Sequence, residues 1–314
     1  MFGIGSIKAT SQRKCAETLL ALDNSHRREV MAQLCFDRIG QKQEFITDKF
    51  HDTEDWSETA YLLLLRSLDI KANRSSYERL ARLLPYRYLA KTSFERRSVE
   101  AMLLGCSGLL SRLSAVMSDR REVEDLQSIF DYEAHKYGLE QMNIESWQLV
   151  GHNGDNHPVV RLLQLAGLLS KHYHLLNDIL ECRTKRDVEK LFCDTSIPKW
   201  AHSFLSEESN SGAISRNKAH MLGINVVAQL QIFYSEYTMR EDLDSRGIEL
   251  LEQLPAESNL FIGRWSKLGV KADNALESQA LLQLTKVYCS NLACDKCPFR
   301  RFVDAGYKTR EAEN

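Results

Sequence analysis

Helical signals recur along the whole chain, and they limit what it can fold into. The sequence has five Pro and fifteen Gly in 314 residues, so few helix breakers interrupt long runs of good helix formers. Capping pairs mark helix starts at Thr184 with Asp187 and at Asn274 with Glu277, and Pro158 suits a first helical turn. No sustained period-two alternation is present. The pattern predicts an all-α fold, either a multi-helical bundle or an irregular array of helix pairs, with a cysteine-rich C-terminal loop.

Several helix boundaries can be assigned from the same signals. Ser25 is a candidate N-cap for the first long apolar stripe, and Ser215 opens what we expect to be the longest helix. Residues 93–110 and 158–180 each read as one continuous helix. A loop rich in turn formers begins at Gly151.

That loop divides the chain into an N-terminal half, residues 1–150, and a C-terminal half, residues 151–314. We expect the two halves to form one continuous helical domain, because helical patterning is similar on both sides of the loop.

The composition indicates an ordinary water-exposed surface. Acidic residues number 43 and basic residues 41, for a net charge of −2. A nucleic-acid partner stays open but finds no support in this balance, because nucleic-acid-binding domains usually carry a basic excess. No apolar run reaches the ~18 residues that a bilayer span needs, and the N-terminus lacks the apolar stretch of a secretion signal. We therefore predict a cytoplasmic protein without a membrane partner, whose eight cysteines are core thiols, metal ligands or catalytic groups rather than disulfides.

Three cysteines stand close together in the stretch YCSNLACDKCPFRRF, residues 288–302. The C-x4-C-x2-C spacing of Cys289, Cys294 and Cys297 allows one loop to bind zinc or an iron–sulfur cluster. Three unconnected thiols are an alternative. A thioredoxin-type redox pair is a third reading, but it needs a preceding strand, which the sequence does not predict. The residues themselves do not identify a fourth ligand.

A second candidate site is a cleft beside the predicted helix at Pro158. Arg161 and Gln164 lie one turn apart on an apolar helix, where a buried guanidinium needs a partner. His152 and His157 lie in the loop just before it. Structural pairing of Arg161 and Gln164 is the other reading.

Several segments resemble a known family. They are EAMLLGCSGLL, YEAHKYGL, HPVVRLLQLA, IPKW and DNALESQALLQLTKVYCSNLACDKC. Together they are similar to the bacterial family called domain of unknown function 2851, from about Cys15 to Val303. The resemblance implies a fourth cysteine ligand, Cys15, which would join Cys289, Cys294 and Cys297 in a clasp between the chain ends.

The resemblance also has limits. Family members are expected to carry an additional N-terminal region similar to the core of restriction-like nucleases, and no segment of this sequence corresponds to it. In place of the family's R-P-x-N-F-P motif the chain reads GHNGDNHP and keeps only Asn156 and Pro158. The family brings no assigned function.

We therefore predict a helical accessory or regulatory module with a structural four-cysteine site for zinc or a 4Fe–4S cluster, supporting a nuclease-like partner domain. We do not expect this chain alone to be an enzyme. The alternative is a metalloprotein or redox enzyme with an iron–sulfur cluster, whose cleft is lined by Arg161, Gln164, His152 and His157.

Overall fold

Helices make up the regular structure of the chain. The computed structural model describes residues 3–69, 72–116, 120–150, 154–205 and 212–305, and these contain helices and no strands. The predicted all-α fold is confirmed.

The first eight helices belong to the N-terminal half. They are α1 (Gly3–Ala21), α2 (Asn24–Thr53), α3 (Trp56–Leu68), α4 (Arg74–Leu83), α5 (Tyr86–Lys91), α6 (Arg96–Cys106), α7 (Leu109–Val116) and α8 (Arg120–Tyr137). The remaining α-helices belong to the C-terminal half. They are α9 (Pro158–Leu169), α10 (Leu175–Glu181), α11 (Lys185–Cys193), α12 (Arg216–Leu222), α13 (Ala228–Thr238), α14 (Glu241–Gln253), α15 (Leu260–Lys267), α16 (Ala275–Gln283) and α17 (Arg300–Asp304).

Shorter helical turns complete the described residues. Four are 3-10 turns, at Ile144–Ser146, Gly154–Asn156, Lys199–Phe204 and Cys294–Lys296. Two are π-helical: Gly223–Val227 joins α12 to α13, and Leu284–Cys289 extends α16.

Most of the predicted helix starts are confirmed. The backbone N–H of Asp187 donates to Thr184 Oγ1 over 3.2 Å, and that of Thr184 donates to Asp187 Oδ2 over 2.8 Å. The backbone N–H of Glu277 likewise donates to Asn274 Oδ1 over 3.0 Å. Pro158 begins α9 and Ser215 caps α12.

Two boundary predictions are wrong. Asp23, not Ser25, caps α2, because its carboxylate accepts the His26 backbone N–H over 3.0 Å. At 30 residues, α2 is also longer than the helix that Ser215 opens, which runs from residue 216 to residue 238 through the first π turn.

The predicted helix over residues 93–110 is interrupted at Ser107 and Gly108. Gly108 has a φ of 76°, a left-handed conformation that favours glycine. The break exposes backbone carbonyls, which two groups of a later loop satisfy. The Met142 N–H donates to the Cys106 carbonyl over 2.8 Å, and the Trp147 indole donates to the Ser107 carbonyl over 2.8 Å. The predicted helix over 158–180 also divides, into α9 and α10.

The core is continuous from Ala16 to Phe302 and includes residues from both halves of the chain. Helix α9 lies at its centre, since every residue from Pro158 to Leu169 is buried. Helix α13 packs on α14, α2 packs on α16, and α1 packs on α17. The last two contacts bring the N-terminal helices against the C-terminal segment and so position the cysteines. In the part of the chain described, no helix combines the length and apolar character needed to cross a membrane.

A glycine comparison tests the break at Gly108. A Cβ at this position would collide with the Met142 carbonyl oxygen, whereas a Cβ on Gly40 of α2 would enter open space. We expect Gly108→Ala to lower the unfolding free energy by at least ~2 kcal/mol and Gly40→Ala to raise it by up to ~1 kcal/mol. Urea unfolding followed by circular dichroism measures both, and a Gly108→Ala variant as stable as Gly40→Ala would contradict the packing described.

Candidate functional site

The four cysteines of the predicted clasp lie in one neighbourhood. Cys15 is on α1, Cys289 ends the second π turn, Cys294 begins the last 3-10 turn and Cys297 follows that turn. All four are half-buried free thiols. Burial, followed by the charges of Cys297 and Cys294, raises the pKa of Cys15 to about 11. Burial and the charges of the other three raise the pKa of Cys289 to about 12. The packing of α1 on α17, and of the second π turn on the last 3-10 turn, brings the two chain ends together.

The backbone of the C-terminal loop wraps around Cys297. The Cys297 N–H donates to the Cys294 carbonyl over 3.3 Å, and the Arg300 N–H donates to the Cys297 carbonyl over 2.9 Å. Burial raises the pKa of the Cys297 thiol, while hydrogen bonds from the backbone N–H groups of Phe299 and Arg300 oppose that increase. N–H donors to sulfur are a common feature around metal-bound thiolates, because they stabilise the sulfur's negative charge.

The donor chemistry fits zinc or a 4Fe–4S cluster, since both accept four cysteine thiolates. The positions are not those of a closed site, however. Among the residues that the structure describes, no group of three or more His, Cys, Asp or Glu side chains is arranged so that it could hold a metal ion. The fold therefore brings the four thiols near one another without placing them in coordination geometry.

Arg161 and Gln164 of the predicted cleft are buried and bonded to one another and to a neighbouring loop. Arg161 Nη1 donates to Gln164 Oε1 over 2.8 Å, and Arg161 Nη2 donates to Asn156 Oδ1 over 2.9 Å. Gln164 Nε2 donates to the Gly212 and Ala213 carbonyls, each over 3.1 Å. These contacts tie α9 to the segment that follows residue 211.

The structure describes one of the two histidines of the predicted cleft. His157 caps α9, its ring accepting the Val159 N–H over 3.3 Å, and it packs on Phe204 with ring centroids 4.9 Å apart. His152 lies outside the described residues. A cleft formed by these residues stays a prediction.

A cavity that the sequence did not reveal lies between α2, α3, α4 and the two π turns. Its volume is about 350 Å³. We call it the cationic pocket, because its lining includes five basic side chains and one carboxylate, namely Arg38, Lys42, Arg66, Arg74, Lys286 and Glu257. The basic residues come from four separate elements, so no run of positive charge marks the pocket in the sequence. The available signal was the pair Arg38 and Lys42, one turn apart beside the buried Ile39 and Ile46.

Neutral amides hold the innermost cations of the pocket. Gln279 Oε1 accepts from Arg38 Nε over 2.7 Å and from Lys42 Nζ over 2.9 Å. Lys42 Nζ also donates to Asn225 Oδ1 over 3.0 Å. Burial, followed by the charge of Arg38, lowers the pKa of Lys42 to about 7. An amide orients a cation but does not neutralise it, so the positive charge of Arg38 remains available to a ligand.

Each π turn supplies a residue to the cationic pocket. Asn225 lies in Gly223–Val227, and Lys286 lies in Leu284–Cys289. A π turn adds a residue to a helical turn and so redirects the following side chains, and such turns are frequent at functional sites. The second π turn also ends at Cys289, so the pocket and the cysteines share one turn.

Comparison with known proteins yields one match. A family model described as a protein of unknown function, DUF2851, matches residues 6–260. The match includes Cys15 and ends before Cys289, Cys294 and Cys297. No curated protein and no solved structure matches the chain.

The buried lysine makes a testable contribution to pH-dependent stability. Below pH 7 Lys42 is charged in both the folded and the unfolded chain, and the folded state carries the full cost of burying that charge. Above its folded pKa of about 7, and up to the ordinary lysine value of ~10.4, the unfolded state binds more protons. Stability due to Lys42 therefore rises with pH in this window, by at most ~1.4 kcal/mol per pH unit.

Urea unfolding of the wild type and of Lys42→Met at pH 6.5, 7.5 and 8.5 measures this contribution. The stability of the wild type relative to the variant should rise with pH, while changes from other titrating groups cancel in the difference. A constant or falling difference would show that Lys42 keeps its ordinary pKa.

Proposed function

This chain belongs to the DUF2851 family of proteins of unknown function, and on that basis we propose that it is a helical accessory module whose chain ends are joined by a four-cysteine metal site. The observation that supports the proposal is the packing of α1, which carries Cys15, on α17, together with the contacts of the last 3-10 turn with α17 and with the π turn that ends at Cys289. These thiols come from opposite ends of the chain.

The proposed ligands are those four cysteines, and the bound group would be zinc or a 4Fe–4S cluster. When bound, it supplies positive charge that favours the thiolate form of its ligands. The backbone N–H groups of Phe299 and Arg300, which already face the Cys297 sulfur, would stabilise the thiolate there. The buried surroundings of Cys15 and Cys289 would limit the access of water to the sulfurs.

The role we propose for this site is structural. A link between Cys15 and the C-terminal loop closes almost the whole chain into one loop, and closing a long loop restricts the unfolded state strongly. Direct contacts already connect α2, the helix that follows Cys15, to the C-terminal segment. Arg301 Nη2 lies 2.6 Å from Glu29 Oε1, and the Tyr288 hydroxyl donates to Asp37 over 3.3 Å. The metal would reinforce an interface that helix packing has formed.

We further propose that the module supports or regulates a nuclease-like partner domain. Support comes from the family resemblance, which implies that members of the family carry such a region. The module would then provide a rigid helical support, and the chemistry would belong to the partner.

The alternative, a redox enzyme with an iron–sulfur cluster and a cleft at Arg161, has weaker support. The charged and polar neighbours that affect Arg161 are Tyr77, Asp155 and Asp69, none of which is part of the cysteine cluster. The hydrogen bonds of Arg161 and Gln164 join α9 to Asn156 and to the Gly212 and Ala213 carbonyls, which agrees with a structural role.

Cysteine variants test the proposed site. Anaerobically purified wild-type protein should contain one zinc per chain or show the absorption near 400 nm of an iron–sulfur cluster. Cys289→Ser should lose the metal and lower the unfolding free energy by ~2–5 kcal/mol, because a long-loop cross-link is lost. The matched control is Cys193→Ser, which changes a half-buried thiol outside the cluster and should retain the metal.

Elemental analysis, absorption spectra and urea unfolding measure these outcomes. A metal-free wild type, together with equal stability of the Cys289→Ser and Cys193→Ser proteins, would refute the four-cysteine site.

A further inference from the structure

We propose that the cationic pocket binds a phosphate monoester group. This inference is independent of the cysteine site, because none of the four thiols lines the pocket. Five basic side chains and Glu257 surround a cavity of about 350 Å³, a size at the lower end of small-molecule sites.

The first argument is an excess of positive charge, because five basic side chains line the cavity and Glu257 is the one carboxylate among the lining residues, with its charge acting on both Arg38 and Lys42. Arg66 Nε forms an ion pair with Glu78 Oε1 over 3.2 Å. For Arg38, Lys42 and Arg74, no carboxylate of the described residues lies within the 4 Å of an ion pair. Half-buried cations without a counter-charge are costly. A fold that nevertheless places them around one cavity is prepared for an anion.

The second argument is the balance of hydrogen-bond donors and acceptors. Lysine and arginine side chains only donate. Buried N–H groups at Arg66 Nη1 and Arg74 Nε have no hydrogen-bond partner in the described structure, so donors exceed acceptors here. The Glu257 carboxylate is partly engaged, since its Oε1 accepts from Gln279 Nε2 over 2.7 Å. A ligand rich in acceptors and carrying more than one negative charge would correct both imbalances.

Phosphate meets these requirements better than a carboxylate or a halide. It offers three terminal oxygens and close to two negative charges, and the planar arginine side chain matches pairs of phosphate oxygens. The concave form of the pocket favours a terminal phosphate group over the continuous backbone of a duplex, as does the chain's net charge of −2.

A neighbouring cavity provides an internal contrast. Its volume is about 420 Å³, and it shares Phe45 with the cationic pocket. Its charges are balanced, since four carboxylates and three basic side chains line it. Lys49, one of those basic residues, lies 2.6 Å from Asp52 Oδ2. Removal of the Lys49 charge is therefore a suitable control for removal of a charge from the cationic pocket.

Titration with pyrophosphate and inorganic phosphate tests the proposal on the full chain. Isothermal calorimetry at low salt should detect binding of both probes to the wild type, and the probes should raise its melting temperature. Arg74→Met and Lys42→Met should each bind at least tenfold more weakly, whereas Lys49→Met should bind as the wild type does. Arg74→Met is the primary variant. The Arg74 side chain forms no ion pair with a carboxylate of the described residues, so the protein should fold without it.

No binding to the wild type, or equal binding by the Arg74→Met and Lys49→Met proteins, would overturn the proposal. A near-ultraviolet dichroism spectrum of each variant confirms that it is folded, so that loss of binding can be assigned to the pocket.

A second set of probes identifies the source of the phosphate. Ribose 5-phosphate and adenosine 5′-monophosphate represent small molecules, and a six-nucleotide single strand with or without a 5′-phosphate represents a nucleic-acid end. Stronger binding of the small monoesters assigns the pocket to a metabolite, whereas stronger binding of the 5′-phosphorylated strand assigns it to a nucleic-acid end. Binding of the strand that does not depend on its 5′-phosphate, together with no binding of the two small monoesters, would contradict recognition of a monoester.

Discussion

The packing of α2 on α16 is the contact on which both candidate sites depend. It joins residues far apart in sequence, for example Arg38 and Gln279, which are 241 positions apart. At one end of this pair Arg27 Nη2 approaches Glu277 Oε2 at 3.3 Å. Farther along, Gln279 holds the inner cations of the cationic pocket. The extension of α16 then leads to Cys289 and the cysteine cluster.

Burial shifts the pKa values of the two sites in opposite directions. Burial raises the pKa of Cys15 and Cys289, which keeps these thiols neutral until a cation favours the thiolate. In the cationic pocket burial lowers the pKa of Lys42, while neutral amides rather than carboxylates hold its ammonium group. We propose a partner of opposite charge for each neighbourhood, a cation at the thiols and an anion at the pocket.

The π turn Leu284–Cys289 connects the two sites. It carries Lys286, which lines the cationic pocket, and it ends at Cys289. A regular α-helical turn would direct these side chains differently, since a π turn contains one additional residue. The same π turn thus sets the direction of both the Lys286 and the Cys289 side chains. Irregular turns of this kind are unfavourable by themselves, and their retention in a fold often reflects function.

Local sequence was sufficient to predict the helices and many of their ends. The capping groups Thr184 and Asn274 act on the next few residues, and Pro158 restricts its own backbone, so no distant contact is needed to predict their effect. The prediction of continuous helices failed where residues distant in sequence form hydrogen bonds to the carbonyl groups that a helix break exposes. Nothing local shows that Met142 and Trp147 would satisfy the carbonyls released at Ser107 and Gly108.

The candidate sites were likewise predictable only where their residues lie close together in the sequence. The spacing of Cys289, Cys294 and Cys297 is local and was visible in the sequence, and a family resemblance was needed to add Cys15. The cationic pocket was not visible, because Arg38, Arg66, Arg74 and Lys286 belong to different helices and each reads alone as a surface charge. Sequence alone determined that the chain is helical and that its cysteines cluster. Tertiary structure decided which cations share a cavity, because their proximity arises from helix packing between distant segments.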